Sequence, residues 1–555
     1  METATFIEKI YRGSLDARVP ASFKILRDTR KVAGHLAAFT AVLRDYPAAA
    51  IEEEGRIPAE MLQRMGAVGL FGMTIPESYG GLGFNLWEYL QVVEELARLD
   101  ISAGLVSLAH LSIGVKGIVL FGNESQKTRY LPPAASGKTI FAFALTEPLI
   151  GSDAQHIETA ARLSKDGSHY ILNGRKTYIT NANYAGGVTV FAQLDPKRPG
   201  FMGAFIVETD REGVRIGKDM PKMGLKASST AAIHFKDVRV PVENLLGRPG
   251  DGFKIAMTIL NYGRLGLGAA SAGMMRQSFE DMMKRSSTRI QFSVPIRDFP
   301  LVQEKIVRAR VYSFISSAMN DFVAGLLEAS PRKNAAIETS HCKLFGTTHG
   351  WDAVYDALQV AGGAGYLSTQ PYEKRMRDFR VTTVFEGTTE IHSIYPPLFA
   401  LRKLAAQQRA HGKGIRGIVF LLRELFRRTD WPLYFDHPVL EKASRVARAN
   451  AASIRKMLCL GLLLYGRKVS EKEFFLRRIT TLSVHMLGIL AALSRMEADR
   501  KAGALSADDV GMLRYFALEA AEARRKNRTV FDSRIEKLNG ETFEAMCRSW
   551  TKARG

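Results

Sequence analysis

Apolar residues recur at mixed three- and four-residue spacing over residues 59–70, 87–97 and 105–120. That spacing predicts helices joined by short loops as far as about residue 137. A glycine-rich stretch, PESYGGLGF at 76–84, interrupts the pattern and reads as a loop. From Ile140 the period falls to two. Residues 140–145 predict a strand, and Asp166-Gly167 and Asn173-Gly174 are hairpin turn signals flanking SHYIL, with KTYIT after the second. Residues 188–194, 203–207 and 231–235 extend the β content to Pro241. These strands predict an antiparallel, barrel-like domain set between helical ones. The βαβ alternation of a nicotinamide-nucleotide domain is missing, which argues against such a cofactor.

Helical spacing resumes near Gly252. Residues 253–274, 299–327, 335–361 and 390–404 predict a four-helix bundle, and Pro396-Pro397 is expected to end or kink the last of them. The remaining roughly 150 residues are again helical and long enough for a domain of their own. The expected fold is mostly α with an inserted β-domain. Its expected division is 1–139 (helical), 140–248 (β), 249–405 (four-helix bundle) and 406–555 (extra helical domain). Within the last, GIRGIVFLLRELFRRTDW places Ile415, Ile418, Val419, Leu422, Leu425 and Phe426 on one stripe, with Arg416, Arg423, Arg427 and Arg428 mostly off it. The segment 413–428 suits peripheral contact with an anionic bilayer or ordinary packing on the bundle equally well.

Composition adds limits. Of 555 residues 46% are apolar and 24% charged, an ordinary globular balance. Lys and Arg number 77 against 56 Asp and Glu, a net charge of +21 that suits anionic lipid or phosphate-bearing small molecules. Zinc-finger spacings, RNP motifs and basic zippers are missing, so nucleic acid is not an expected partner. Cys342, Cys459 and Cys547 are too scattered for a disulfide framework or a metal site, and no metal is expected. Acidic residues Glu2, Glu8 and Asp16 and the lack of an apolar core near the start argue against signal and transit peptides, and no uncharged run looks long enough to cross a bilayer. A cytoplasmic location is expected, at most peripheral on the inner face of the membrane.

The densest candidate chemistry lies at 359–391, QVAGGAGYLSTQPYEKRMRDFRVTTVFEGTTEI. Glu386 follows the apolar-rich run 381–385, a setting that can desolvate a carboxylate into a base. Alone, the stretch reads better as a helix start, with Thr388 or Thr389 capping and Glu390 in the first turn. His110 sits among apolar residues, where core packing is its expected role.

Five segments change that balance. FALTEPLIGSD (143–153), YILNGRKTYITN (170–181), RIQF (289–292), QVAGGAGY (359–366) and FEGTTEI (385–391) follow one another as in the acyl-CoA dehydrogenase family, which the chain resembles over about residues 30–405. IYRGSLDARV, SLAHLSIGVKGIVLFG, LNYGRLGLGAA and the extra C-terminal domain resemble its very-long-chain branch most. The resemblance implies FAD and a fatty acyl-CoA substrate oxidised to the trans-2-enoyl thioester in β-oxidation. Glu386 then takes the α-proton, and Gly263 stands where some relatives carry the base instead. It implies flavin contacts at Phe143, Leu145, Thr146, Tyr178 and Thr180, with Thr388 beside the base. Arg289, Phe292, Gln359, Gly362 and Gly363 would touch the ADP half of the neighbouring subunit's cofactor, and Ser152 and Arg264 would line the thioester side. A homodimer and an electron-transfer flavoprotein as acceptor are also implied. An acyl-CoA oxidase and a non-catalytic assembly protein on the same fold are the alternatives. Four departures from the family pattern are Leu149-Ile150, Tyr178 in place of tryptophan, Ser293 in place of glycine, and Pro396-Pro397. The basic run 374–380 carries no assigned role.

Overall fold

Asn85 starts the helix that anchors the N-terminal region. Its Oδ1 accepts the Glu88 N–H at 3.0 Å while Glu88 Oε2 accepts the Asn85 N–H at 2.9 Å, a reciprocal cap that satisfies two otherwise open donors. The helix, α1 (Leu86–Ala109), passes into a π-turn at His110–Gly114. Among the described residues, two helical stretches, Leu86–Phe121 and Glu473–Lys501, are long and apolar enough to cross a bilayer by length and composition once a few charged residues are allowed. The apolar window of each is 83% buried, so those side chains build core. His110 is buried with them, and its Nδ1 accepts the Phe141 N–H at 2.9 Å. Burial holds the ring neutral by pushing its pKa down to about 4.

The computed structural model describes residues 5–21, 29–332, 334–412, 414–531, 536–537, 542–543 and 545–549. Two compact units emerge: residues 24–389 with 1–3, and residues 390–555 with 4–23.

In the first unit the β-domain is one eight-stranded sheet. Its strands are β1 (Ile140–Ala144), β2 (Ala160–Leu163), β3 (His169–Thr180), β4 (Ala185–Gln193), β5 (Met202–Glu208), β6 (Val214–Ile216), β7 (Thr230–Pro241) and β8 (Leu245–Gly250). The order is β6-β7-β3-β2-β4-β5-β8, with β1 paired to β4. Most pairs are antiparallel, as the alternating pattern predicts, but β1 runs parallel to β4 and β2 meets β4 in parallel as well. Tyr170, Leu172, Val190, Phe205, Ile233 and Val240 fill its core. The expected boundary at 248/249 falls inside β8.

After the sheet come α2 (Gly252–Thr288), α3 (Pro300–Glu328) and α4 (Ala336–Ala361). These three pack on one another, and α1 packs on α2 and α3. The fourth helix against α2 is therefore α1, whereas the helix expected there from 390–404 belongs to the second unit. A two-residue hairpin joins β9 (Ile290–Gln291) to β10 (Val294–Pro295).

The second unit holds α5 (Thr389–Ala410), of which residues 390 onward are its own, then α6 (Ile415–Phe426), α7 (Pro438–Tyr465), α8 (Glu473–Lys501) and α9 (Ala507–Asn527). The expected boundary at 405/406 falls inside α5. Pro396 and Pro397 do not end that helix. Pro397 has no N–H for the Ser393 carbonyl four residues back, and the Thr480 hydroxyl donates to that carbonyl instead, at 2.7 Å. On α6, Leu421 is buried while Ile415, Ile418, Val419, Leu422 and Phe426 are exposed, so the stripe is not spent on packing within the chain. Lys413, the first residue of the expected membrane segment, lies outside the described residues.

Candidate active site

The loop after β1 is fixed by a buried ion pair. Lys176 on β3 follows Tyr170 and Leu172 on the inward side of the strand, and both Lys176 and Glu147 are buried. Lys176 Nζ donates to Glu147 Oε1 at 2.8 Å and to the Leu145 carbonyl at 2.9 Å. Glu147 also accepts the backbone N–H groups of Glu158 (2.5 Å) and Thr159 (2.9 Å). Burial lowers the lysine pKa to about 8, with Glu147 opposing the fall. Next along β3, the Thr177 N–H donates to the Thr146 carbonyl at 3.0 Å, which ties the loop to the strand edge.

A register shift between Lys176 and Ile179 then turns Tyr178 into a left-handed conformation, φ +56°, with its ring 66% exposed. Thr146 and Thr180 are half-buried beside it. Phe143 packs its ring on Phe191 at 5.0 Å and Leu145 is buried. An exposed aromatic ring, two hydroxyls and an apolar floor thus meet at one end of β1 and β3. That donor and stacking set fits a flavin ring.

Glu386 lies at a left-handed corner, φ +57°, followed by Gly387 at φ +96°. Burial pushes its carboxyl up to about 7, while the positive charges of Arg264 on α2 and Lys343 on α4 oppose the rise. Oε2 is shut off from solvent. Gly263, one residue before Arg264, faces the carboxyl: a Cβ there would stand 3.1 Å from Glu386 Cδ. The adjoining Phe385 lines an apolar cleft of about 420 Å³, open mouth included, together with Leu96, Gly104, Leu108, Leu225 and Leu267. Helix α5 begins at Thr389 with Glu390 in its first turn, so the corner also forms a helix start.

The remaining expected residues fall elsewhere. Ser152 is exposed beyond a turn in which Glu147 and Ile150 exchange backbone hydrogen bonds at 2.9 and 3.1 Å, and Leu149 at its tip is 87% exposed. Arg289 closes α2, about 37 Å along the helix axis from Arg264. Phe292, 91% exposed, turns the β9–β10 hairpin. Gln359 is exposed near the end of α4, and Gly362 and Gly363 follow with open space where side chains would be. Glu386, Gly263 and Arg264 are thus gathered at one place, and the Arg289 and Gln359–Gly363 set forms a separate exposed group.

Sequence reasoning missed three features. Lys343 gives no signal in ETSHCKLFG. Lys176 could have been read as a charge on the inward side of β3 that needed a partner. The basic run 374–380 forms part of a short helix, Pro371–Arg380, that ties the segment before Glu386 to its surroundings. Lys374 pairs with Asp378 (2.6 Å) and Asp100 (3.4 Å), Arg377 pairs with Glu373 (2.6 Å) and Glu52, and Asp378 accepts the Leu225 N–H at 2.5 Å.

The family models for the N-terminal, middle and C-terminal domains of acyl-CoA dehydrogenases match residues 30–138, 142–238 and 250–394. A bovine (Bos taurus) protein described as "Very long-chain specific acyl-CoA dehydrogenase, mitochondrial" is 33% identical over 499 residues, covering 86% of this chain and 76% of that one. An "Acyl-CoA dehydrogenase" of Bacillus subtilis (strain 168) is 38% identical over 351 residues, covering 63% and 91%. A crystal structure of an acyl-CoA dehydrogenase complexed with FAD from Bacillus anthracis superposes with a TM-score of 0.80 at 28% identity, covering 93% and 91%. Because that likeness runs through the second unit as well as the first, and all three domain models match in order, this chain belongs to the acyl-CoA dehydrogenase family and is an FAD-dependent acyl-CoA dehydrogenase.

Proposed function

We propose that the chain oxidises long-chain fatty acyl-CoA to the trans-2-enoyl thioester, with Glu386 as the base that removes the α-proton. The observation that carries this reading is a buried carboxyl, raised to about 7, beside an apolar cleft walled by α1, α2 and Phe385. A base with a pKa near the working pH combines a sizeable ionised fraction with useful basicity. Gly263 supplies no competing side chain. The cleft offers an acyl chain an apolar lining. Phe143, Leu145, Thr146, Tyr178 and Thr180 would hold FAD, which would supply the acceptor for the hydride that leaves the β-carbon. Thr388 is assigned to the cofactor near the base, Ser152 and Arg264 are assigned to the thioester side, and Arg264 favours the ionised form of the base.

The exposed set of Arg289, Phe292, Gln359, Gly362 and Gly363 is assigned to the ADP half of a second subunit's cofactor, which makes the working unit at least a homodimer. Their distance from Arg264 along α2 and α4, and the open approach to Gly362-Gly363, support that assignment. Electron-transfer flavoprotein is the proposed acceptor. The exposed stripe of α6, with its arginines, supports peripheral contact with an anionic membrane through 413–428, on the cytoplasmic inner face.

The test is an anaerobic series of acyl-CoA lengths added to the purified flavoprotein. Long chains are expected to bleach the flavin in the parent and not in Glu386→Gln. Flavin that no acyl-CoA bleaches overturns the reading, and hydrogen peroxide formed under air in place of electron transfer would mark an oxidase.

A further inference from the structure

We propose that Lys343 is a positioning residue, holding the Glu386–Gly387 corner in the shape that presents the carboxylate to the substrate; this rests on Glu386 being the base. Lys343 stands within α4 and is fully buried. An ammonium group taken out of water needs strong acceptors to remain there. Its Nζ donates to the Gly387 carbonyl at 2.6 Å, a short charge-assisted contact.

That carbonyl is well placed to govern the corner. Glu386 at φ +57° occupies a left-handed region that is strained for an L-residue, and it persists only if its surroundings hold it. The entry to the corner is fixed by the turn before it, where the Val384 and Phe385 N–H groups both donate to the Val381 carbonyl, at 2.8 and 3.1 Å. The exit needs an anchor of its own, because Gly387 is the most permissive residue in the chain's repertoire. Lys343 supplies it by fixing the direction of the Gly387 carbonyl. The same ammonium faces the carboxyl from α4 as Arg264 does from α2, and both charges favour the ionised base against the burial that disfavours it. One side chain therefore sets both where the carboxylate points and how readily it ionises.

The experiment compares full-length holoenzyme carrying Lys343→Met, Lys343→Gln, Lys343→Arg or Glu386→Gln. The readouts are flavin content, kcat, KM and the pH profile of kcat/KM with a long-chain acyl-CoA. Lys343→Met is expected to lose about tenfold or more in kcat with KM little changed and flavin retained. The rising limb of its pH profile is expected to move to higher pH, because a charge favouring the carboxylate is gone. Lys343→Arg keeps the charge and is expected to leave the limb near its original position. A folded Lys343→Met with parental kcat and limb overturns the proposal. If Lys343→Met does not fold, the other pair decides: a raised limb in Lys343→Gln but not in Lys343→Arg upholds it, and identical limbs overturn it. Parental activity in Glu386→Gln would instead remove the base assignment itself. An inactive Glu386→Gln beside an unaffected Lys343→Met would remove only the role of Lys343.

Discussion

Gly263 and Glu386 face each other so closely that a methyl group on Gly263 would stand 3.1 Å from both Cδ and Oε2 of the carboxyl, and 3.0 Å from Ile113 Cγ2. The missing side chain on α2 is what gives the carboxyl its room. Gly263→Ala is therefore expected to displace Glu386 by a few tenths of an ångström. A tightly positioned base responds to such a shift with a loss of about tenfold or more in the rate of substrate-driven flavin bleaching. Flavin content should be unchanged, since Gly263 carries no group assigned to the cofactor. Bleaching at the parental rate would mean that the carboxyl has slack there.

The raised carboxyl also makes a pH prediction. Proton abstraction needs the ionised form, so kcat/KM should rise through about pH 7 and then level off. Stability should run the other way. The folded-state value lies above the ordinary 4.5, so between the two the native state binds more protons than the unfolded chain. The contribution of Glu386 is full below about 4.5 and is lost as pH rises through 7. Glu386→Gln, which cannot ionise, should melt above the parent at about pH 8, and by a smaller margin at about pH 5. A margin that does not change with pH would contradict the raised pKa.

The alternation in SHYIL and KTYIT shows the β-domain because each strand buries one face, and the five-segment order points to the candidate site through its resemblance to the acyl-CoA dehydrogenase family. What lay hidden came from contacts distant in sequence. The parallel seating of β1 on β4 depends on which edge is free, which periodicity does not encode. The exchange of 390–404 for α1 beside α2 has the same origin, since helical spacing does not encode which neighbour a helix packs on. Lys343 was invisible because its acceptor is a backbone carbonyl 44 residues away. The run 374–380 carried no assigned role from sequence because its carboxylate partners Glu52 and Asp100 lie far upstream.

Lys176 gives a prediction about the cofactor loop. Replacing it with methionine leaves Glu147 buried with no ammonium beside it and removes a donor from the Leu145 carbonyl. Breaking one side of a buried pair costs about 3–5 kcal/mol. Lys176→Met should therefore lower the denaturation midpoint strongly and weaken flavin retention, read as the absorbance ratio of flavin to protein. Lys176→Met that keeps parental stability would show the pair to be dispensable.

The hairpin at 292–293 carries a cost that one substitution should relieve. Phe292 at φ +50° and Ser293 at φ +66° make a two-residue turn with both residues left-handed, the arrangement that favours glycine at the second position. Ser293→Gly is expected to gain about 1 kcal/mol, the steric penalty of a left-handed L-residue less the added freedom of glycine in the unfolded chain. The check is the denaturant midpoint at unchanged slope. A loss of stability would mean that the Ser293 side chain earns more from its surroundings than the turn costs.

Thr480 should matter because of a proline in another helix. Its hydroxyl takes the place of the N–H that Pro397 cannot offer to the Ser393 carbonyl. Thr480→Val removes that donor and leaves the carbonyl unsatisfied, at a cost of about 1–3 kcal/mol. Pro397→Ala restores a backbone N–H at the position from which a regular helix would reach Ser393. If the hydroxyl acts as the substitute donor, Thr480→Val should cost clearly less in the Pro397→Ala background than in the parent. Equal costs in the two backgrounds would show that Thr480 stabilises α8 for some other reason, and that the helix carries its two prolines without help from this hydroxyl.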